Sequence, residues 1–422
     1  MKHQALSAIV VAAMSCASGA RTFDVKDFGA KGDGITKDTA AIQRAIDAAS
    51  AAGGGTVELG AGTYLSGSIW LKSNVDFHLE SGAVLKGSTD PEDYCKADCC
   101  PQNAASPVTS DNTSGGHLVL CVEQSHVTIR GPGKVDGSGP DFIFDKSKGA
   151  WSRNKREVPW RPAQMIWAVD SSDLRVLDLE IANSPYWSCF LLNCRRVAVR
   201  GCYVHTTRRP KHTFNGDGID VDRCVDVTIS DCIIDTADDC ITLRASCAGR
   251  LANPQDCANV TVANCNLSSD CNGIRIGVGE GRIHDATFSN IVIRDTLNAI
   301  NFSSSYSANS RGTDIERVRF SNVVLDATRF LYLMHRFARE AVVRDIAFEG
   351  VTGRTTAPSL VWANKRMPFD NIRFHNVDMP CGVEVVNARN VVFAGGTLAE
   401  IPLSDDELAK RNVAIDAGKL GL

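Results

Sequence analysis

A short pattern recurs along the chain: apolar, spacer, apolar, then a turn residue, then apolar, spacer, apolar. It reads Val127-Thr128-Ile129-Arg130-Gly131, then Val197-Ala198-Val199-Arg200-Gly201-Cys202, then Val227-Thr228-Ile229-Ser230-Asp231-Cys232. It returns as Val260-Thr261-Val262-Ala263-Asn264-Cys265 and Ala286-Thr287-Phe288-Ser289-Asn290-Ile291, with further copies centred on Asp178, Asn322, Gly350, Asn376 and Gly395. From Asp178 onward the centres stand 19 to 33 residues apart. A period of about 20 to 50 residues marks a solenoid or a propeller. Alternation within each copy is that of a strand, and no copy carries a helical stripe. A propeller blade takes roughly 40 residues, more than most of these intervals. The pattern therefore predicts an all-β, single-domain right-handed parallel β-helix, one coil per repeat and three short strands per coil. Asn at the repeated turn fits, because Asn tolerates the left-handed conformation.

The period also stacks side chains. Cys202, Cys232 and Cys265 each follow a turn centre, and Cys194, Cys224 and Cys257 each precede one by seven positions. Other copies place Leu179, Ile291, Val323, Val351 and Val377 at the first of these positions. The six cysteines are read as stacked core thiols, since free Cys packs as a small hydrophobe. Before the repeats, Asp38 is the expected N-cap of a helix over 39–52 with the apolar stripe Ile42, Ala45, Ile46 and Ala49. A solenoid must shield its ends. This helix is the expected N-terminal cap, and 404–422 the expected C-terminal one.

Composition narrows the class. Of 422 residues 44% are hydrophobic, which excludes a disordered chain, and 35 glycines without a Gly-X-Y period exclude collagen. A net charge of −4 from intermixed basic and acidic residues argues against bulk nucleic-acid binding. Residues 1–20 read as a secretory signal peptide, and 21–422 as the β-helix domain. The apolar run in the leader is too short to span a bilayer. The expected location is secreted or periplasmic, and the expected state a monomer. Cys95, Cys99 and Cys100 cluster in one stretch and are candidates for a disulfide after export. No cofactor and no metal site are expected, as no Cys pair has zinc spacing.

The chemistry concentrates between Asn215 and Ile276. Aligning Gly216-Asp217-Gly218-Ile219-Asp220-Val221, Asp238-Asp239-Cys240-Ile241-Thr242-Leu243 and Cys271-Asn272-Gly273-Ile274-Arg275-Ile276 puts Asp217, Asp239 and Asn272 in one column, with Asp238 beside it. Neighbouring strands lie about 4.8 Å apart. Crowded carboxylates repel, so at least one is expected to stay protonated while another ionises. Two carboxyl groups with separate roles are the equipment of glycoside hydrolysis. A calcium site is the other functional reading of such a cluster, and solvated acidic turns the bland one.

Asn215-Gly216-Asp217-Gly218 resembles the Asn-Thr-Asp-Gly signature of glycoside hydrolase family 28, the polygalacturonases. Asp238-Asp239-Cys240 is similar to that family's Asp-Asp-Cys signature at the family spacing. Phe28-Gly29-Ala30-Lys31-Gly32-Asp33-Gly34 and Gly53-Gly54-Gly55-Thr56-Val57 resemble the start of its bacterial members. The likeness runs over roughly residues 22 to 400 and marks a divergent, bacterial-type member. It implies an exported inverting hydrolase of pectin-like or related polysaccharide. Asp238 would be the general acid, while Asp217 and Asp239 position and deprotonate water.

Two family features are missing. A Gly-His-Gly motif is replaced by Cys271-Asn272-Gly273, and an Arg-Ile-Lys triplet by the stretch around Asn301. Arg244 stands where many members have Lys. Candidate substrate-binding residues are therefore Asn215, Arg244, Asn272, Arg275, Asn301 and His212. Arg208, Arg209 and Lys211 lie just before the site. His205 and His212 are candidates to replace the missing His. A basic stretch over 145–161, with Trp151 and Trp160 interleaved, is a candidate sugar platform. A β-helix polysaccharide lyase and a non-catalytic carbohydrate-binding solenoid are the alternatives.

Overall fold

The computed structural model describes residues 21–104, 115–142, 161–208, 215–246, 249, 251–304, 311–335 and 340–417. The leader, His212, Arg209, Lys211, Trp151 and Trp160 lie outside the described residues. The chain forms a right-handed parallel β-helix. Its strands pair in parallel with those one coil away. One column runs Val127, Leu174, Val197, Val227, Val260, Ala286, Val318, Ile346, Ile372, Val391. The first positions of the repeat copies are thus vertical neighbours.

All the non-glycine turn centres have positive φ: Asp178, Asp231, Asn264, Asn290, Asn322 and Asn376, between 52° and 57°. Their side chains add a reason for choosing Asn. Asn264 donates to Asp231 at 3.1 Å, Asn290 to Asn264 at 3.2 Å, and Asn322 to Asn290 at 3.2 Å. A second left-handed column sits five residues earlier in each coil, at Asp173, Arg196, Asp226, Asn259, Asp285, Arg317, Asp345, Asn371 and Asn390. Arg196 and Arg317 occupy it without the usual turn residues, and their guanidinium groups pair with Asp173 and Asp285 one coil back.

One hydrophobic core runs from Val25 to Leu398 and contains all six ladder cysteines. Toward the C-terminal end its centre is a stack of Phe288, Phe320, Phe348, Phe374 and Phe393 with ring centroids 4.6 to 5.2 Å apart. Fourteen cysteines fall in the described residues and all are free thiols, Cys95, Cys99 and Cys100 included.

The N-terminal helix, Thr39–Ala51, buries Ala41, Ile42, Ala45, Ile46 and Ala49 against this core. Asp38 precedes it but makes no side-chain cap bond. Its carboxylate instead accepts from the backbone of Lys31 at 2.7 Å and Gly32 at 2.9 Å, tying down the preceding glycine loop. The C-terminal helix, Asp405–Ala417, departs from expectation. Ile415 and Leu408 pack sideways on Tyr332, Met334, Trp362 and Val386, on the outer face of the solenoid. Leu398 closes the core end instead, its segment bonded to Val377 and Val383.

Candidate active site

One sheet carries the chemistry on its outer face. Its strands include Ile166–Val169, Cys189–Leu192, Ile219–Asp222, Ile241–Ala245 and Asn272–Gly279, continuing through the ends of Arg282–Ser303 and Asp314–Met334. Inward positions such as Ile219, Val221, Ile241, Leu243, Ile274 and Ile276 belong to the core. Alternation turns the intervening residues outward. One outward column reads Trp167, Phe190, Asp220, Thr242, Arg275, Asn301, Tyr332. Beside it, Asp222 pairs with Arg244.

The backbone bonds of Ser188 to Asp217, Gly218 to Asp239 and Cys240 to Asn272 stack the turns before these strands. They place Asp217, Asp239 and Asn272 in successive coils, and Asn272 faces Asn298 in the next. Trp187 begins the column on one side and Arg329, facing Asn298, continues it on the other. Aromatic cover flanks the polar stretch: Trp167, Tyr186, Trp187 and Phe190 cluster beneath the Cys95–Cys100 segment.

Asp217, Asp220, Asp222 and Asp239 are all buried, while Asp238 is half-buried. Burial removes water from each carboxylate and its neighbours repel it. Burial, then Asp239, push Asp238 up to about 7, with Arg275 opposing. Burial pushes Asp220 up to about 8 against the pull of Arg244, with Asp239 adding to the rise. Asp217 is raised well above the ordinary carboxylate range by burial and by Asp220, Asp238 and Asp239. Asp217 Oδ1 and both Asp220 carboxylate oxygens are buried without a hydrogen bond inside 3.5 Å; Arg244 Nη1 stands 3.6 Å from Asp220 Oδ1.

Asp239 differs from its neighbours in being fully engaged. Arg275 Nη1 donates to Oδ2 at 2.8 Å and Asn272 Nδ2 to Oδ1 at 2.5 Å. Both partners bond best to a charged carboxylate. The backbone N–H of Asp239 donates to Asp238 Oδ1 at 3.1 Å, and Ser269 and Thr236 hydroxyls hold the Asp238 carbonyl. Asp238, Asp239 and Cys271 offer three ligand atoms within 4.8 Å of one another. Burial and both carboxylates raise the Cys271 thiol well above its ordinary range. Arg275 supplies a cation to Asp239 within this group.

The proposed binding residues divide. Arg275 and Asn272 are committed to Asp239. Asn301 sits beside them, donating to Asn272 Oδ1 at 3.0 Å. Arg244 lies over the Trp187 ring, 4.4 Å from its centroid. Asn215 takes the left-handed turn before Asp217, with Oδ1 buried. His205 stands apart, bonded to Glu180 at 3.0 Å and stacked on Tyr203. Arg208 turns to Asp235, Asp270 and Ser268. Arg161, the described end of the basic stretch, donates to Pro185 and covers Tyr186. Asp220, Asp222, Trp187, Asn298 and Arg329 are site residues that motif reading misses. The alternation Asp220-Val221-Asp222 is the one signal that would have found the first two.

Asp217, Asp220, Asp238 and Asp239 thus stand together on one face of the β-helix, and burial raises the first three. Comparison places the chain further. The model of Glycosyl hydrolases family 28 matches residues 56–329, and the chain belongs to that family. It is 29% identical over 252 residues to a probable polygalacturonase of Vitis vinifera, covering 58% of this chain and 48% of that protein. It is 25% identical over 265 residues to an exo-poly-alpha-D-galacturonosidase of Dickeya chrysanthemi, covering 53% and 42%. The chain thus spans about half the length of these two relatives. Among solved structures, the hyperthermoactive exopolygalacturonase of Thermotoga maritima shares its fold, with a TM-score of 0.68, 21% identity and 90% of each chain covered.

Proposed function

We propose that the chain is an exported inverting glycoside hydrolase acting on pectin-like, galacturonate-containing or related polysaccharide. The observation that carries this reading is the asymmetry within one carboxylate cluster. Asp238 lies at about 7 next to an Asp239 held by a guanidinium and an amide. Asp238 keeps its proton below neutrality and gives it to the leaving glycosidic oxygen. Asp239 stays ionised and takes a proton from the attacking water. Asp217, raised by burial and then by Asp220, Asp238 and Asp239, stays protonated beside Asp239 and helps to orient that water. Inversion is taken from the family resemblance, with water attacking from the face opposite the leaving group; Asp238 and Asp239, whose oxygens lie within 4.8 Å, stand closer than the roughly 6.5 to 9.5 Å usual for an inverting pair. Family membership and the galacturonan-cleaving relatives support the substrate class.

The test is a polysaccharide panel read by oligosaccharide mass spectrometry, with proton NMR of the first product formed. Hydrolysis adds one water to each cleaved bond, and the product appears as the inverted anomer. Unsaturated products lighter by one water would replace this reading with elimination. Binding without cleavage on every substrate would leave a carbohydrate-binding solenoid.

A further inference from the structure

The engaged carboxylate is the end of a longer hydrogen-bonded ladder. Asn272 gives its amide N–H to Asp239 and receives two bonds on Oδ1, from Asn298 Nδ2 at 2.9 Å and Asn301 Nδ2 at 3.0 Å. Asn298 receives in turn a bond on Oδ1 from Arg329 Nη1 at 3.3 Å. Arg329 Nε is held by the Pro358 carbonyl at 2.7 Å. The Ser303 hydroxyl donates to Asn301 Oδ1 at 2.8 Å. Asn272, Asn298 and Asn301 are all buried.

We propose that Asn298, Asn301 and Arg329 are positioning residues that fix which end of the Asn272 amide faces Asp239. The catalytic use of Asp239 rests on the hydrolase reading above. An Asn amide is nearly symmetrical in shape, with a donor at one end and an acceptor at the other. Turned over, Asn272 would present its carbonyl to Asp239, which only a protonated carboxyl tolerates. Guanidinium cannot accept a hydrogen bond. Arg329 therefore forces the Asn298 oxygen toward itself and the Asn298 N–H toward Asn272. Orientation is handed from coil to coil over about 14 Å, three strand spacings. Two bonds on the Asn272 oxygen also polarise its N–H, strengthening the bond to Asp239. The other titratable groups facing Asp239 are Asp217, Asp220, Asp238, Cys240, Cys271 and Arg275. None of them donates to Asn272 Oδ1; Cys271 Sγ accepts from Asn272 Nδ2 at 3.2 Å, but a thiol can equally donate to an oxygen, so orientation falls to the ladder.

Asn298→Asp tests this with almost no change of shape. A carboxylate cannot donate to Asn272, so two acceptors meet and the Asn272 amide must turn. The expected result is a kcat lower by about 10- to 100-fold, KM within about twofold, and an acidic limb of the kcat profile displaced upward by about one pH unit. Arg329→Lys and Arg329→Gln form the second arm. Lysine only donates and should keep the wild-type limb; glutamine can turn over and should displace it. A fall in kcat with an unmoved limb, or identical Lys and Gln profiles, would overturn the proposal. If Asn298→Asp does not fold, the Arg329 pair decides. Carbon-13 NMR titration of the aspartate carboxyls needs no turnover. Because a carboxylate at 298 also repels Asp239, the Arg329 pair is read: an upward displacement in Arg329→Gln but not in Arg329→Lys supports the ladder, and an unchanged titration in both refutes it. A ladder response in a wild-type protein that cleaves nothing would refute the hydrolase reading alone.

Discussion

Asp238→Asn should destroy activity and raise stability together, and the structure sets both magnitudes. In the folded chain Asp238 holds its proton to about 7, against an ordinary carboxylate value of 3.8. The folded state therefore binds more protons than the unfolded chain across that window. Stability falls as pH rises wherever the folded state holds the extra proton. The contribution is fully present below pH 4 and gone once pH has passed through 7. The displacement corresponds to about 4 kcal/mol, using 1.36 kcal/mol per tenfold change. That is an upper bound, because the carboxyls of a coupled cluster share the cost of ionising. Asparagine cannot ionise, so the variant escapes the loss. Urea unfolding should give matching curves at pH 4 and a variant more stable by up to about 4 kcal/mol at pH 9. Turnover should drop by about 100-fold or more, the usual contribution of a general acid. In the wild type, kcat/KM should decline through about pH 7 as Asp238 loses its proton. A variant that is inactive yet no more stable at pH 9 would show that Asp238 is not held in its acidic form by burial. A variant that still turns over would remove it from the mechanism.

Arg275→Met leaves the buried Asp239 without its cation, and losing one partner of a buried pair costs about 3 to 5 kcal/mol; Arg275→Lys should recover part of it in urea unfolding, and a loss under about 1 kcal/mol would contradict the pairing. In native-state alkylation read by peptide mass spectrometry, Cys202, Cys232 and Cys265 should react only as fast as the protein unfolds; prompt labelling of Cys232 would contradict the core ladder. Truncation after Leu403 strips the buried Ile415 and the half-buried Leu408 from Trp362 and Tyr332, at about 1.5 to 3 kcal/mol for Ile415 and less for Leu408. The truncated chain should keep its β-sheet circular dichroism while tryptophan emission moves to longer wavelength, and an unchanged emission spectrum would place the helix elsewhere.

The repeat was legible because the backbone demands it. A left-handed turn in every coil admits few residues, so Asp178, Asn264 and Asn376 announce it. The companion column carries the same Asp and Asn signal at seven of its nine positions and is broken only at Arg196 and Arg317, which hold the same conformation through ion pairs with the coil before. The Asp217–Asp239–Asn272 column could be written from the strand alternation alone. Its extension to Trp187 and Arg329 could not, since intervals between coils vary and nothing local fixes the count. Asp38 misleads for a different reason: a carboxylate before a helix reads as a cap, but two loop amides reach it first. The tail over 404–422 reads as an end cap from its position alone, and position does not say which apolar patch lies within reach. Trp362 and Tyr332, far back in the chain, provide that patch.

The phenylalanine stack has a consequence for how this chain can change length. Phe288, Phe320, Phe348, Phe374 and Phe393 stack on one another from coil to coil, and Phe302 and Phe330 meet the stack edge-on. Removing or duplicating a whole coil between them would reunite one ring with another and leave the column continuous. Inserting a single residue inside a strand would turn its ring outward and cut the column in two. The C-terminal half can therefore grow or shrink in quanta of one turn of the solenoid, while the coils bearing Asp217, Asp239 and Asn272 remain untouched.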